Sequence, residues 1–126
     1  MTERDLHLSV VDYLSRALAG SAWYTTFPLG GGGKVRGAQL KRAGAKVGTP
    51  DILVIDDGRA HWIELKAPKG RVSAEQTSCH AELQRAGAAV GVARSIEDVE
   101  ALLVRWLVPL RGRLRAEYRA TATVRR

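Results

Sequence analysis

Cysteine is almost absent from this chain of 126 residues. The lone Cys79 excludes an internal disulfide and a thiolate zinc cluster. Long apolar runs are missing too. None approaches the roughly 20 residues that span a bilayer. The N-terminus is acidic and polar, and no apolar segment precedes a cleavage-like site, so no signal peptide is expected. These absences together predict a cytoplasmic protein with no membrane partner. Acidic residues are in the minority: 13 Asp and Glu stand against 20 Lys and Arg, a formal charge of +7. A positive surface steers toward polyanions, of which nucleic acid is the usual large one. Apolar residues are not scarce. Their 45% share is enough for one packed core and argues against disorder.

The excess charge is uneven. Arg111, Arg113, Arg115, Arg119, Arg125 and Arg126 crowd the C-terminal end against a single acid, Glu117. Residues 109–126 therefore read as a basic tail behind a domain of residues 1–108. The alternation of Arg111, Arg113 and Arg115 suits an extended piece with three guanidiniums on one side. Guanidinium forks match phosphate oxygens.

Gly30 to Gly33 followed by Lys34 is not a nucleotide-binding P-loop. That pattern needs a hydroxyl after the lysine, and Val35 follows here. The run reads as a pliable loop whose Lys34 and Arg36 can meet phosphates. A short helix is expected within Gly37 to Ala45, carrying Lys41 and Arg42, with Lys46 just beyond. All are candidate backbone-phosphate contacts, although a solvated basic face is the plainer reading.

Elsewhere the pattern predicts helices and strands in alternation. Thr2 with Asp5 caps a first helix whose Leu6, Val10, Leu14 and Leu18 recur at helical spacing to about Ala19. Trp23 to Phe27 reads as a strand. Ser73 to Gln76 is a capping box opening a helix that ends at Gly87. Ala88 to Ala93 reads as a buried strand. Ser95 caps a last helix with a stripe of Val99, Leu102, Leu103, Trp106 and Leu107. Trp23, Trp62 and Trp106 are candidates for a subunit interface, although a core position is the plainer reading of each. The order predicts an α/β fold: a mixed sheet with flanking helices.

The centre of that order is Gly48 to Gln76. Ile52 to Ile55 and Ala60 to Leu65 flank Asp56-Asp57-Gly58-Arg59, a strong hairpin signal. Glu64 and Lys66, two apart on a strand, share a face. The hairpin can return Asp51 beside them. Magnesium takes hard oxygen ligands, usually one or two carboxylates plus waters. Asp51 and Glu64 can supply them, and the backbone carbonyl of Leu65 a third oxygen. Lys66 can orient a water or stabilise a pentacovalent phosphate. Gln76, at a helix start, can hold a water or phosphate from the side. Spacing alone leaves open a plain solvated strand end.

Gly-x-Pro-Asp, about a dozen residues, Ile-Glu-Leu-Lys, then Gly-x-x-Ser-x-x-Gln resembles the VRR-NUC family, a branch of the PD-(D/E)XK nucleases. The resemblance spans roughly residues 3 to 104. It implies a restriction-endonuclease-like core and an Mg²⁺-dependent DNA endonuclease, with Mn²⁺ able to substitute. Asp51 and Glu64 match the metal-binding pair, Lys66 the motif lysine and Gln76 the helical glutamine. Glu3 matches the first-helix acid that can complete the metal shell; without the resemblance it reads as a first-turn acid favoured by the helix dipole. Branched DNA such as four-way junctions or flaps is the implied substrate, and a homodimer is the simple way to make two coordinated cuts. Many relatives carry an Asn or Glu after the first strand, where this chain has Pro28 and Leu29. The competing reading is a non-catalytic nucleic-acid-binding module built on the same fold.

Overall fold

Asp57 and Gly58 both take positive φ, 51° and 72°. Two successive left-handed residues match the right-handed twist of flanking strands and make a tight two-residue turn. They join strands β2 (Ile52–Asp56) and β3 (Arg59–Leu65), paired antiparallel with Asp56 opposite Arg59. The computed structural model describes residues 1–27 and 33–114. Strand β1 (Trp23–Thr26) lies antiparallel on the outer side of β2, and β4 (Ala89–Ala93) runs parallel to β3. The sheet order is β1-β2-β3-β4, and the β3–β4 connection passes through helix α3 (Ala74–Arg85). It is the mixed α/β architecture the sequence predicts.

Alternation along the strands sorts the two faces. Ile52, Val54, Ile63, Leu65 and Ala93 are buried against α1 (Glu3–Ala17) and α4 (Ile96–Arg105). Those helices contribute Leu6, Val10 and Leu14, and Val99, Leu102 and Leu103. Each fully buried aliphatic side chain contributes roughly 1.5–3 kcal/mol. Trp62 and Glu64 point to the opposite face, where α3 packs. Trp62 stacks on Phe27, ring centroids 5.5 Å apart.

The structure departs from expectation at several points. Helix α1 stops at Ala17 instead of about Ala19, because Leu18 turns extended (ψ 134°) and bridges to Leu110. Helix α2 spans Gly33–Arg42, starting four residues before the expected Gly37. Lys34 and Arg36 therefore sit on a helix rather than in the glycine loop; both are good helix formers, and Gly37 is tolerated inside at about 1 kcal/mol. Leu107 leaves the apolar stripe altogether. It takes the left-handed position after α4, with φ 61°, and is 86% exposed. Trp23 is not a core residue but 55% exposed on the edge strand, while Trp62 and Trp106 are half-buried.

The chain beyond Val108 stays against the body as far as Leu114. Ala19 N–H donates to the Pro109 carbonyl and Arg111 N–H to that of Ala17. Leu114 N–H donates to the buried Glu100 carboxylate (2.8 Å), which also accepts from the Tyr13 hydroxyl (3.3 Å). Pro28, Leu29, the glycines before Gly33, and Arg115, Arg119, Arg125 and Arg126 lie outside the described residues.

Candidate active site

Asp51 stands one residue before β2. Its carbonyl accepts from Phe27 N–H (2.9 Å), which ties it to the end of β1. Its carboxylate accepts from the backbone N–H of Leu65 (2.7 Å). That short charge-assisted bond holds the Asp51 side chain across the open end of the hairpin. Pro50 before it is fully buried, and Gly48 before that has φ 85°. A Cβ on Gly48 would lie 2.8 Å from the backbone nitrogen of Gln76, and closer still to the Glu75 carbonyl oxygen. Only glycine allows this loop to lie against the first turn of α3.

Glu64 is almost completely buried, 1% exposed. Its Oε2 accepts from the Gln76 amide (3.2 Å), and its Oε1 lies 3.2 Å from the His80 ring Nε2. The α3 capping box sets the Gln76 orientation. Ser73 Oγ accepts from the Gln76 backbone N–H, and the Gln76 amide oxygen accepts from Ser73 N–H. With its oxygen engaged in the cap, the Gln76 NH₂ is left for Glu64.

Burial first, then the Asp51 charge, pushes the Glu64 carboxyl up to about 8; Lys66 opposes this and Glu3 adds to it. The Lys66 side chain is itself buried. Burial first, and then the Lys66 charge, lowers the pKa of His80, which keeps the ring neutral at neutral pH. Two carboxylates thus converge in a place that disfavours their joint ionisation, and a cation would relieve it. The donors are hard oxygens, the type Mg²⁺ takes. Among the described residues no three His, Cys, Asp or Glu side chains are gathered to hold a metal alone. Asp51 and Glu64 would be the side-chain ligands, with the Leu65 carbonyl and waters filling the remaining positions. That share suits Mg²⁺, which keeps several waters.

Of the other predicted residues, some share a cleft with Asp51 and some do not. Glu3 is exposed and lines a cleft of about 350 Å³ with Asp51, Leu65, Arg4 and His7. Lys41 and Lys46 share a second cleft, about 270 Å³, with Asp51 and Gln76. Arg42, Lys34 and Arg36 are exposed along the same helix α2. Arg111 and Arg113 are not brought to this site. Arg111 is bonded to Ala17 at the far end of α1 from Glu3, and 15 helical residues span about 22 Å. Arg115 lies outside the described residues. A further cleft, about 510 Å³ between β4 and α4, holds neither carboxylate.

Two residues escaped the sequence reading. His80 is four residues after Gln76, so both face the same way on α3. That spacing was the available signal. Arg94 carried none: its Nη1 donates to the carbonyls of Ala67 (2.8 Å) and Gly70 (2.7 Å) and steadies the loop after Lys66.

A mixed sheet presenting Asp and Glu-x-Lys at the end of a hairpin, backed by a helix, defines a nuclease-type α/β fold. The sequence model of the VRR-NUC domain matches residues 33–97, just over half of the chain, and the chain belongs to that nuclease-related family. Solved structures are similar, two of them as follows. One, described as a VRR-NUC domain protein, is 22% identical with a TM-score of 0.70, over 85% of this chain and 88% of that one. The other, described as a VRR-NUC domain, is 18% identical with a TM-score of 0.56, over 84% of this chain and 99% of that one. At these identities they show the shared fold. No curated protein matches significantly. The matched segment contains Asp51, Glu64, Lys66 and Gln76; Glu3 lies outside it.

Proposed function

We propose that the protein is a divalent-metal-dependent DNA endonuclease that hydrolyses phosphodiester bonds. One observation carries the reading: the Asp51 carboxylate is drawn to Leu65 N–H beside the buried Glu64, with Lys66 next along the same strand end. In this reading Asp51, Glu64 and the Leu65 carbonyl hold Mg²⁺ or Mn²⁺, and Glu3 stands behind them as an outer carboxylate. Such a metal, when bound, polarises the phosphoryl group and lowers the pKa of a bound water. Lys66 orients the attacking water or offsets charge on the pentacovalent phosphate. Gln76 keeps Glu64 in place. Lys41 and Lys46 flank the carboxylates and, with Lys34, Arg36 and Arg42, hold backbone phosphates, which positions DNA without reading its bases.

Substrate and assembly follow from the family resemblance. Branched duplexes such as four-way junctions or flaps are the proposed targets, cut by a homodimer in which each copy supplies one site. Residues 1–108 carry the nuclease, 109–126 add a basic extension, and the working place is the cytoplasm. No described helix is long and apolar enough to cross a membrane.

The test is Mg²⁺- or Mn²⁺-dependent cleavage of labelled duplex, flap, single-stranded and four-way-junction DNA by wild type, Asp51→Ala, Glu64→Ala and Lys66→Ala. Loss of a metal ligand should remove several kcal/mol of transition-state stabilisation. Cleavage that survives all three changes would identify a contaminant. Tight DNA binding with no carboxylate-dependent metal binding would make the protein a binding module instead.

A further inference from the structure

We propose that His80 is a positioning residue for the metal-binding carboxylate, a role that rests on the nuclease reading above. The two Glu64 oxygens are contacted by different residues of one helix. Gln76 Nε2 donates to Oε2 and His80 Nε2 lies on Oε1, each at 3.2 Å. The two residues are four apart on α3, so a single rigid helix face grips the carboxylate at both corners. This fixes the plane of the carboxylate as well as its place. When a metal holds Glu64 ionised the carboxylate only accepts, so the contact would then require the proton on His80 Nε2. Each carboxylate oxygen keeps a further lone pair for a metal. The His80 side chain is 13% exposed, so little water competes for the contact. Groups that orient a ligating carboxylate in this way typically carry a 10–100-fold share of metal affinity.

The burial of Glu64 gives this grip its purpose. A carboxylate held at one corner only would turn about that contact. Gln76 alone leaves it free to rotate about the Oε2 contact. His80 removes that freedom and commits the outward lone pairs to one direction.

The experiment compares Mn²⁺ affinity by calorimetry, on the whole chain without DNA, for wild type, Glu64→Ala, His80→Gln, His80→Asn and His80→Ala. The Gln amide nitrogen falls close to the position of the imidazole Nε2, whereas the Asn nitrogen stops near Nδ1 and cannot reach Oε1. The expected result is a loss of about 10–100-fold in Mn²⁺ affinity for His80→Asn and His80→Ala, with His80→Gln close to wild type. Cleavage by the weakened variants should recover as Mn²⁺ is raised, a shift in metal requirement rather than in maximal rate. Wild-type affinity in all three His80 variants, with Glu64→Ala unable to bind, would overturn the role of His80 and leave the two-carboxylate site standing. Equal weakening in all three would assign the loss to packing and also overturn it. A wild-type protein that binds no Mn²⁺ would remove the metal site and this role together. Circular dichroism of each variant separates these results from misfolding.

Discussion

Glu64→Gln should stabilise the metal-free protein while abolishing metal binding. The carboxyl titrates near 8 in the fold against 4.5 in an exposed chain, because it is buried beside Asp51. A raised folded-state pKa means that the native protein holds a proton the unfolded chain has lost. Stability from this group is therefore complete below pH 4.5 and is lost as pH rises toward 8. One pKa unit is worth about 1.4 kcal/mol, so folding with Glu64 protonated, when the unfolded chain has already lost that proton, costs on the order of 3 kcal/mol at pH 7. Glutamine removes that cost without emptying the site. Its amide oxygen can accept from Gln76, and its NH₂ can donate to His80 once the neutral ring shifts its proton to Nδ1. The assay is urea denaturation in a chelator at pH 4.5, 6, 7 and 8. Subtracting wild type from variant cancels the titrating groups distant from Glu64; Asp51 and His80, which act on it directly, stay in the difference. The difference should be near zero at the lowest pH and reach about 3 kcal/mol at pH 7. A difference that does not change with pH would refute the argument from a buried, charge-facing carboxylate. Magnesium should narrow the gap by stabilising wild type alone.

Gly48→Ala should destabilise the protein by about 2–4 kcal/mol, from a left-handed backbone position and a Cβ forced against α3. Because the same loop carries Asp51, metal affinity by calorimetry should fall with stability by denaturation; an unchanged midpoint would mean that the loop can lift off α3 freely. Leu107→Gly should add about 0.5–1 kcal/mol in urea melts, since the side chain is exposed and its φ of 61° suits glycine. A destabilised variant would show that Leu107 gains more from its surroundings than the left-handed position costs. Removing residues 115–126 leaves the Leu18–Leu110 bridge and the Leu114–Glu100 bond in place, so the remaining body should still unfold cooperatively in urea. DNA binding should weaken for every sequence, and the log–log salt slope should flatten by about 0.9 per lost phosphate contact. An identical slope by fluorescence anisotropy would mean that those arginines hold no phosphates.

Much of the architecture was legible because local chemistry decided it. Asp57-Gly58 permits the two positive φ angles of the hairpin turn, and period-two alternation then commits Ile52, Val54, Ile63 and Leu65 to one face. Thr2 and Ser73 form the capping boxes their spacing predicts. The motif spacing of Asp51, Glu64, Lys66 and Gln76 likewise carried the family resemblance that the sequence model matches. Tertiary contacts decided the rest. Leu18 has helical periodicity, yet it abandons the helix because Leu110, far away in sequence, offers a backbone partner. Helical spacing put Leu107 in the apolar stripe, but the last turn of α4 closes on hydrogen bonds that force a left-handed residue there. The four-residue spacing put His80 on the Gln76 side of α3, but nothing local showed that this side would meet Glu64. Their separation in the chain is bridged only when α3 lies across the sheet, and the perturbed Glu64 carboxyl is a product of that packing. Burial and charge proximity depend on what the rest of the chain places around a side chain, so the residue types were in the sequence and their electrostatics were not.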